Sequence, residues 1–298
     1  MHISYRNLLF GAFVGAGLLF GIIKFYPDGK LHLVFCNVGQ GDAIYVKFPS
    51  GADMLMDAGP DSKKILTCLG NHMPFYDRKI DMVFLSHPQL DHYGGMAEVV
   101  SRYEVKYFVS SFNVKKFPQL KKLNDLLTQK HTVLKNIASG QTISIDAGNI
   151  KVIWPEANWL ALNYPADESA VLGIGSEKET NLLSPYLDIN YGNFDALLTG
   201  DGDSDTQQKI SLYNLKSLLP ESIDILKVPH HGSKISVSEE FLNQIKPKLS
   251  VIQVGKNSYG HPNSETVDKL AKWGKVFRTD QDGEIEIVSD GNGWYREE

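Results

Sequence analysis

After residue 27 the chain alternates short apolar runs with segments of helical spacing. LHLVFC (31–36), AIYVKF (43–48) and DMLMD (53–57) read as consecutive strands separated by glycine-containing turns. Residues 61–70 have helical spacing, and IDMVFLS (80–86) is a continuous apolar run of the kind buried on both faces. MAEVVSRY reads as helix and VKYFVS (105–110) as the strand after it. Residues 117–129 carry Leu120, Leu123, Leu126 and Leu127 at helical intervals.

A second half repeats the style. TISI (142–145), IKVIWP (150–155), YLDINYG (186–192), DALLTGD (195–201) and DILKVPHHG (224–232) read as strands, with a helix over 204–214. Helix 237–245, strand LSVIQVG (249–255), helix 264–272 and strands near 275–278 and 284–288 follow. Between 156 and 184 the pattern dissolves, which predicts a long irregular insertion. Strands open each half and helices come later. The expected fold class is therefore α/β, an αββα sandwich of two face-to-face sheets, with residues 28–298 as one catalytic domain.

Residues 8–23 (LLFGAFVGAGLLFGII) carry no charge and, with Phe25 and Tyr26, approach the ~20 residues a bilayer demands. A signal anchor over 1–27 is expected, with a cleaved signal peptide and a buried core helix as alternatives. That anchor would make the protein a membrane protein with its catalytic domain outside the cytoplasm, or a secreted one after cleavage.

Composition narrows the rest. At 42% hydrophobic and 22% charged, the 298 residues suit a folded chain rather than a disordered one. The net charge of −5 does not favour a nucleic-acid binder, although a local basic rim or a bound cation could still serve one. Cys36 and Cys68 have no zinc-ligand spacing and read as two buried thiols.

The placement of histidine and aspartate carries the chemistry. His87, His92 and the His230-His231 pair stand where apolar strands give way to loops. Asp57 and Asp201 end two further strands. Four strands thus deliver imidazole or carboxylate at their C-terminal ends, a donor set for zinc, manganese or iron. VGQGD (38–42) lacks the GK[ST] of a phosphate loop and reads as a structural turn, with Asp42 binding nearby backbone amides. Arg278, Asp280 and Asp282 are expected to shape a final hairpin at Asp282-Gly283.

HPQLDHYGG (87–95) resembles the HxHxDH signature of the metallo-β-lactamase superfamily, in the form found in the hydrolase domain of ComEC/Rec2-type competence proteins. CNVGQGDAI, MDAGP, LLTGD, LKVPHHGS, NSYGHP and RTDQDGEIEI occur in family order between about 31 and 288. The resemblance implies an αββα sandwich with a dinuclear site between its sheets. His87 and Gln89 would serve one metal, Asp91 and His92 the other, Asp201 would bridge and His231 would complete the second site. Asp57 would orient a ligand from behind. His230 would support a ligand from behind or contact substrate, Asp91 would position the attacking water, and His261 would contact substrate or protonate the leaving group. Gln89 departs from the family, which has Asp or His there and a further His before the bridging Asp. His131 is the lone histidine in that interval and lies at the opening of a strand. An amide oxygen is a poor donor, so one firmly held Zn2+ or Mn2+ and one weak second ion are expected.

The implied function is a metal-dependent hydrolase, a phosphodiesterase or nuclease acting through a metal-bound hydroxide on nucleic acid or another phosphodiester. A lactam, thioester or lactone hydrolase and a catalytically impaired DNA- or protein-binding module are the alternatives. With at most one span, DNA transport would require a separate channel protein.

Overall fold

The computed structural model describes residues 5–7, 9, 10, 12, 13, 27–164, 177–210, 215 and 217–298. These form two sheets. With strands numbered in chain order, neighbours in the first sheet are Trp294–Glu297 (β15), Ile285–Ser289 (β14), Leu31–Phe35 (β1), Ile44–Lys47 (β2), Asp53–Met56 (β3), Lys79–Leu85 (β4), Glu104–Ser110 (β5) and Val133–Asn136 (β6). In the second they are Lys275–Arg278 (β13), Leu249–Ile252 (β12), Ile225–Lys227 (β11), Phe194–Leu198 (β10), Tyr186–Tyr191 (β9), Gly148–Trp154 (β8) and Thr142–Ile145 (β7).

Side-chain alternation sorts residues into three layers of core. Leu31, Leu33, Phe35, Met54 and Phe84 meet Ile150, Leu187, Leu198 and Ile225 between the sheets. On the outer face of the first sheet, Val34, Leu55 and Val83 pack against Ile65, Leu69, Val99 and Leu123. On the outer face of the second, Leu197, Leu226 and Ile252 pack against Phe241, Leu242 and Leu270. This is the helix-sheet-sheet-helix order expected from the pattern.

Strand direction determines where chemistry can occur. β3, β4, β5 and β6 run parallel, as do β10, β11, β12 and β13. Parallel neighbours place their C-terminal ends at the same edge of a sheet, so the loops after β3, β4, β10, β11 and β12 share one edge.

Several expectations change. The insertion at 156–184 is not wholly irregular, since helices Ala157–Asn163 and Glu177–Asn181 lie at its two ends. Residues 165–176 lie outside the described residues, as do 211–214 of the expected helix 204–214, which runs from Ser204 to Lys209. Arg278, Asp280 and Asp282 do not form a hairpin. They build a short helix, Thr279–Asp282, that carries the chain from β13 in one sheet to β14 (Ile285–Ser289) in the other. There the Arg278 backbone N–H donates to Asp282 at 2.8 Å, and its guanidinium binds Asp280 at 2.7 and 3.0 Å.

The two cysteines are not free thiols. Cys36, just after β1, and Cys68, on the inward face of helix Ser62–His72, form a disulfide with Cα atoms 5.9 Å apart. A spacing of 32 residues says nothing about contact until the helix is known to pack over β1.

The expectation of a membrane anchor is also corrected. Among the described residues no helix is long and apolar enough to cross a membrane. Most of residues 8–23 lie outside the described residues, and the placement outside the cytoplasm that rested on that segment falls with it.

Candidate metal centre

Four side chains converge at the shared edge. Asp91, His92, Asp201 and His231 each offer one donor atom, and all four atoms lie within 4.8 Å of one another. Asp91 and His92 lie on the one-turn helix Leu90–Tyr93 after β4, Asp201 follows β10, and His231 follows β11. His92 Nε2 and His231 Nε2 each stand 3.4 Å from Asp201 Oδ2, and His231 Nε2 is 3.3 Å from Asp91 Oδ2. His92, His231 and Asp201 are buried, whereas the Asp91 side chain is 31% exposed, so the cluster opens to solvent through Asp91.

Hydrogen bonds behind the cluster orient its rings. His231 Nδ1 donates to the Gln253 carbonyl at 2.9 Å, and His92 Nδ1 faces Asp57 Oδ2 at 2.8 Å. Both rings therefore turn Nε2 toward the carboxylates, the arrangement that an orienting carboxylate or carbonyl gives a metal-bound histidine. Asp57 is held in turn by the Ser86 N–H at 2.8 Å.

The backbone accepts strain to place these groups. Asp57, His230 and His231 have φ of 60°, 49° and 51°, in the left-handed region that non-glycine residues avoid. Each such residue costs on the order of 1–3 kcal/mol and persists only where its surroundings enforce it. Here Gly232 completes the turn, the Asn263 N–H bonds the Gly232 carbonyl at 2.8 Å, and a Cβ at Gly232 would lie 2.7 Å from Pro262.

Two charged residues beneath the cluster were missed as site groups. Lys227 on β11 is fully buried, and its ammonium pairs with Asp42, donates to the Gly200 carbonyl at 2.8 Å and lies 3.8 Å from Asp201. Asp42 therefore pairs with Lys227 and lies 3.4 Å from His231, instead of capping backbone amides. The signals existed: a lysine inside the apolar run ILKVP, and a glycine before Asp42. Gly41 has φ 145°, and a Cβ there would come within 2.2 Å of the Asp91 carbonyl.

Burial opposes charge throughout, and the neighbours decide the outcome. The carboxylates of Asp201 and Asp57 hold His92 well above the usual imidazole range against burial. Asp201 and Asp42 likewise hold His231 up at about 10. Against the same burial, His231 and His92 keep Asp201 well below the usual carboxylate range, and His92 does the same for Asp91. Lys227 and His231 lower Asp42. His87 goes the other way, because burial and then the neighbouring His92 charge push it down to about 3.

The remaining expected residues lie around this quartet. His87 is buried with its ring 4.1 Å from that of His92, and its Nε2 has no hydrogen-bond partner among the described residues. Gln89 turns its amide nitrogen to Thr180 (2.9 Å) and Asn181 (2.6 Å) on helix Glu177–Asn181. His230 sits 3.4 Å from Asp203, with its ring 5.8 Å from that of His261. His131 lies in the turn before β6 and is exposed.

Comparison with known proteins follows the same lines. No family model matches the chain. It is 28% identical over 289 residues to ComE operon protein 3 of Bacillus subtilis (strain 168), which covers 89% of this chain and 34% of that one. It is 24% identical over 258 residues to Recombination protein 2 of Haemophilus influenzae, covering 84% and 28%. The chain thus spans about a third of the length of these curated relatives. The metallo-beta-lactamase fold protein YhfI from Bacillus subtilis superposes with a TM-score of 0.52 at 13% identity, covering 86% of this chain and 99% of that one. The fold is that of the metallo-β-lactamases. The resemblance to ComEC/Rec2-type proteins, first carried by HPQLDHYGG and the motifs around it, holds along most of the chain.

The metallo-β-lactamase fold implies a divalent metal, and the quartet fits one. Two imidazole nitrogens and two carboxylates make a suitable donor set for zinc or manganese, with both rings already oriented. A second ion fits less well, because Gln89 offers only a neutral amide oxygen where the resemblance expects Asp or His.

Proposed function

We propose that the chain is a metal-dependent phosphodiesterase acting on nucleic acid. The observation that carries this reading is the convergence of Asp91, His92, Asp201 and His231 at the edge where parallel strands of both sheets end. A divalent cation held by these four would lower the pKa of water and neutralise charge on phosphoryl oxygens.

The chain's own residues supply the rest. Asp91, the most solvent-open of the four, orients the attacking water. Asp57 and the Gln253 carbonyl keep the His92 and His231 rings from turning. His230 and His261 are half-buried neighbours of His231, and in this reading they touch the substrate, with His261 handing a proton to the leaving oxygen. Similarity to ComE operon protein 3 and Recombination protein 2 supports nucleic acid as the partner.

The test is turnover by the full chain loaded with Zn2+ or Mn2+, using single-stranded DNA and bis(p-nitrophenyl) phosphate beside a lactam, a thioester and a lactone. Phosphodiester cleavage that disappears in Asp201→Asn supports the proposal. Cleavage of the carbonyl substrates alone would reassign the chemistry, and no turnover of any would favour a binding module.

A further inference from the structure

The sequence motif NSYGHP is only partly absorbed by the site above. Its tyrosine, Tyr259, is 72% exposed. One exposed aromatic side chain is ordinary on a protein surface. This one differs in being held on a braced loop beside the metal quartet.

The bracing is dense. Asn257 Oδ1 accepts from the backbone N–H groups of Tyr259 (3.0 Å) and His261 (3.1 Å). The same side chain donates to the carbonyls of Gly255 and His261, both at 2.8 Å. The loop is fastened to the strained His230–Gly232 turn by the bond from Asn263 N–H to the Gly232 carbonyl, 2.8 Å. The Tyr259 ring stacks on His261 with centroids 5.8 Å apart and planes at 20°. His261 meets His230 edge-on at 5.8 Å, and the next residue, His231, is in the quartet. Exposed apolar side chains also flank the ligand loops: Leu90 stands directly before Asp91, and Ile235 follows the His230-His231 turn.

We infer that Tyr259, backed by His261, is a stacking platform for a planar unsaturated ring on the substrate beside the scissile phosphodiester, the ring being a nucleobase. The inference rests on the phosphodiesterase reading and adds what the substrate must carry. A flat aromatic face accepts any base, so the platform confers a requirement for a base without reading its identity. The loop that carries the ring is braced before substrate arrives, which lowers the entropic cost of using it.

The experiment is calorimetric titration of the full chain in EDTA with a hexathymidylate and with its abasic analogue of equal length and charge. Wild type is expected to bind the base-bearing strand roughly tenfold more tightly, the scale of one stacked base. Tyr259→Ala should abolish that preference while keeping its melting temperature and metal content, and Tyr259→Phe should retain it. Equal or undetectable binding of the two strands by wild type, or an undiminished preference in Tyr259→Ala, overturns the inference. A base preference that depends on Tyr259 in a metal-loaded chain that cleaves neither strand would uphold the platform and sink the hydrolase reading alone.

Discussion

Lys227 and Asp42 form a fully buried ion pair, with the Lys227 ammonium 3.8 Å from the Asp201 carboxylate. Neither could stay charged there alone, because burying an uncompensated ion costs several kcal/mol. Replacing Lys227 with Met should therefore destabilise the chain by roughly 3–5 kcal/mol, the usual penalty for breaking a buried pair. Lys227→Met combined with Asp42→Asn should recover much of that loss. Urea unfolding of the two single variants and the double variant measures the coupling, and additive losses would show that the pair is not an energetic unit.

The quartet makes a prediction about metal that is independent of turnover. After incubation with Zn2+ or Mn2+ and desalting, the full chain should retain roughly one equivalent. His231→Ala and Asp201→Ala should each lose it, since each removes one of four donors. Gln89→Ala should keep it, because the Gln89 amide is engaged with Thr180 and Asn181. Loss of metal on Gln89→Ala, measured by elemental analysis, would instead place that residue in the ligand set.

The Cys36–Cys68 bond ties the β1–β2 loop, which carries Asp42, to the helix over the first sheet. A closed loop of 32 residues corresponds to roughly 3–4 kcal/mol of denatured-state entropy. Cys36→Ser with Cys68→Ser should lower stability by about that amount. Denaturant midpoints of the oxidised, reduced and double-Ser chains test it, and an unchanged midpoint on reduction would sink it.

Much of this architecture was legible in the sequence, because periodicity and motif order are local properties. The run IDMVFLS announced a strand buried on both faces, and the HPQLDHYGG segment placed Asp91 and His92 at its end. The Lys227–Asp42 pair was not legible, since a charge inside an apolar strand finds its partner only when the other sheet closes over it. The disulfide was not legible either, because Cys68 meets Cys36 only once helix Ser62–His72 packs over the first sheet. Gln89 was read as a weak ligand because its position in the motif is visible. Its hydrogen bonds to Thr180 and Asn181, about 90 residues away, depend on how the insertion packs.

Asp53 gives a pH dependence outside the metal centre. Burial, despite bonds from the Tyr45 hydroxyl (3.0 Å) and the Asp81 N–H (2.9 Å), raises its pKa to about 7, with Asp81 and Asp77 adding repulsion. The folded value lies above the unfolded one, so the native chain holds a proton that the unfolded chain releases. The stability this contributes is full below about pH 4, declines as pH rises, and is gone above about pH 7. Asp53→Asn lacks that titration. Relative to the variant, wild type should therefore lose stability by up to about 1.4 kcal/mol per pH unit across this window, then level off. Urea unfolding of both chains at about pH 4.5, 6 and 8 reads the difference directly. A gap that stays constant would mean that Asp53 ionises normally in the fold, and a gap moving in wild type's favour would reverse the sign of the argument.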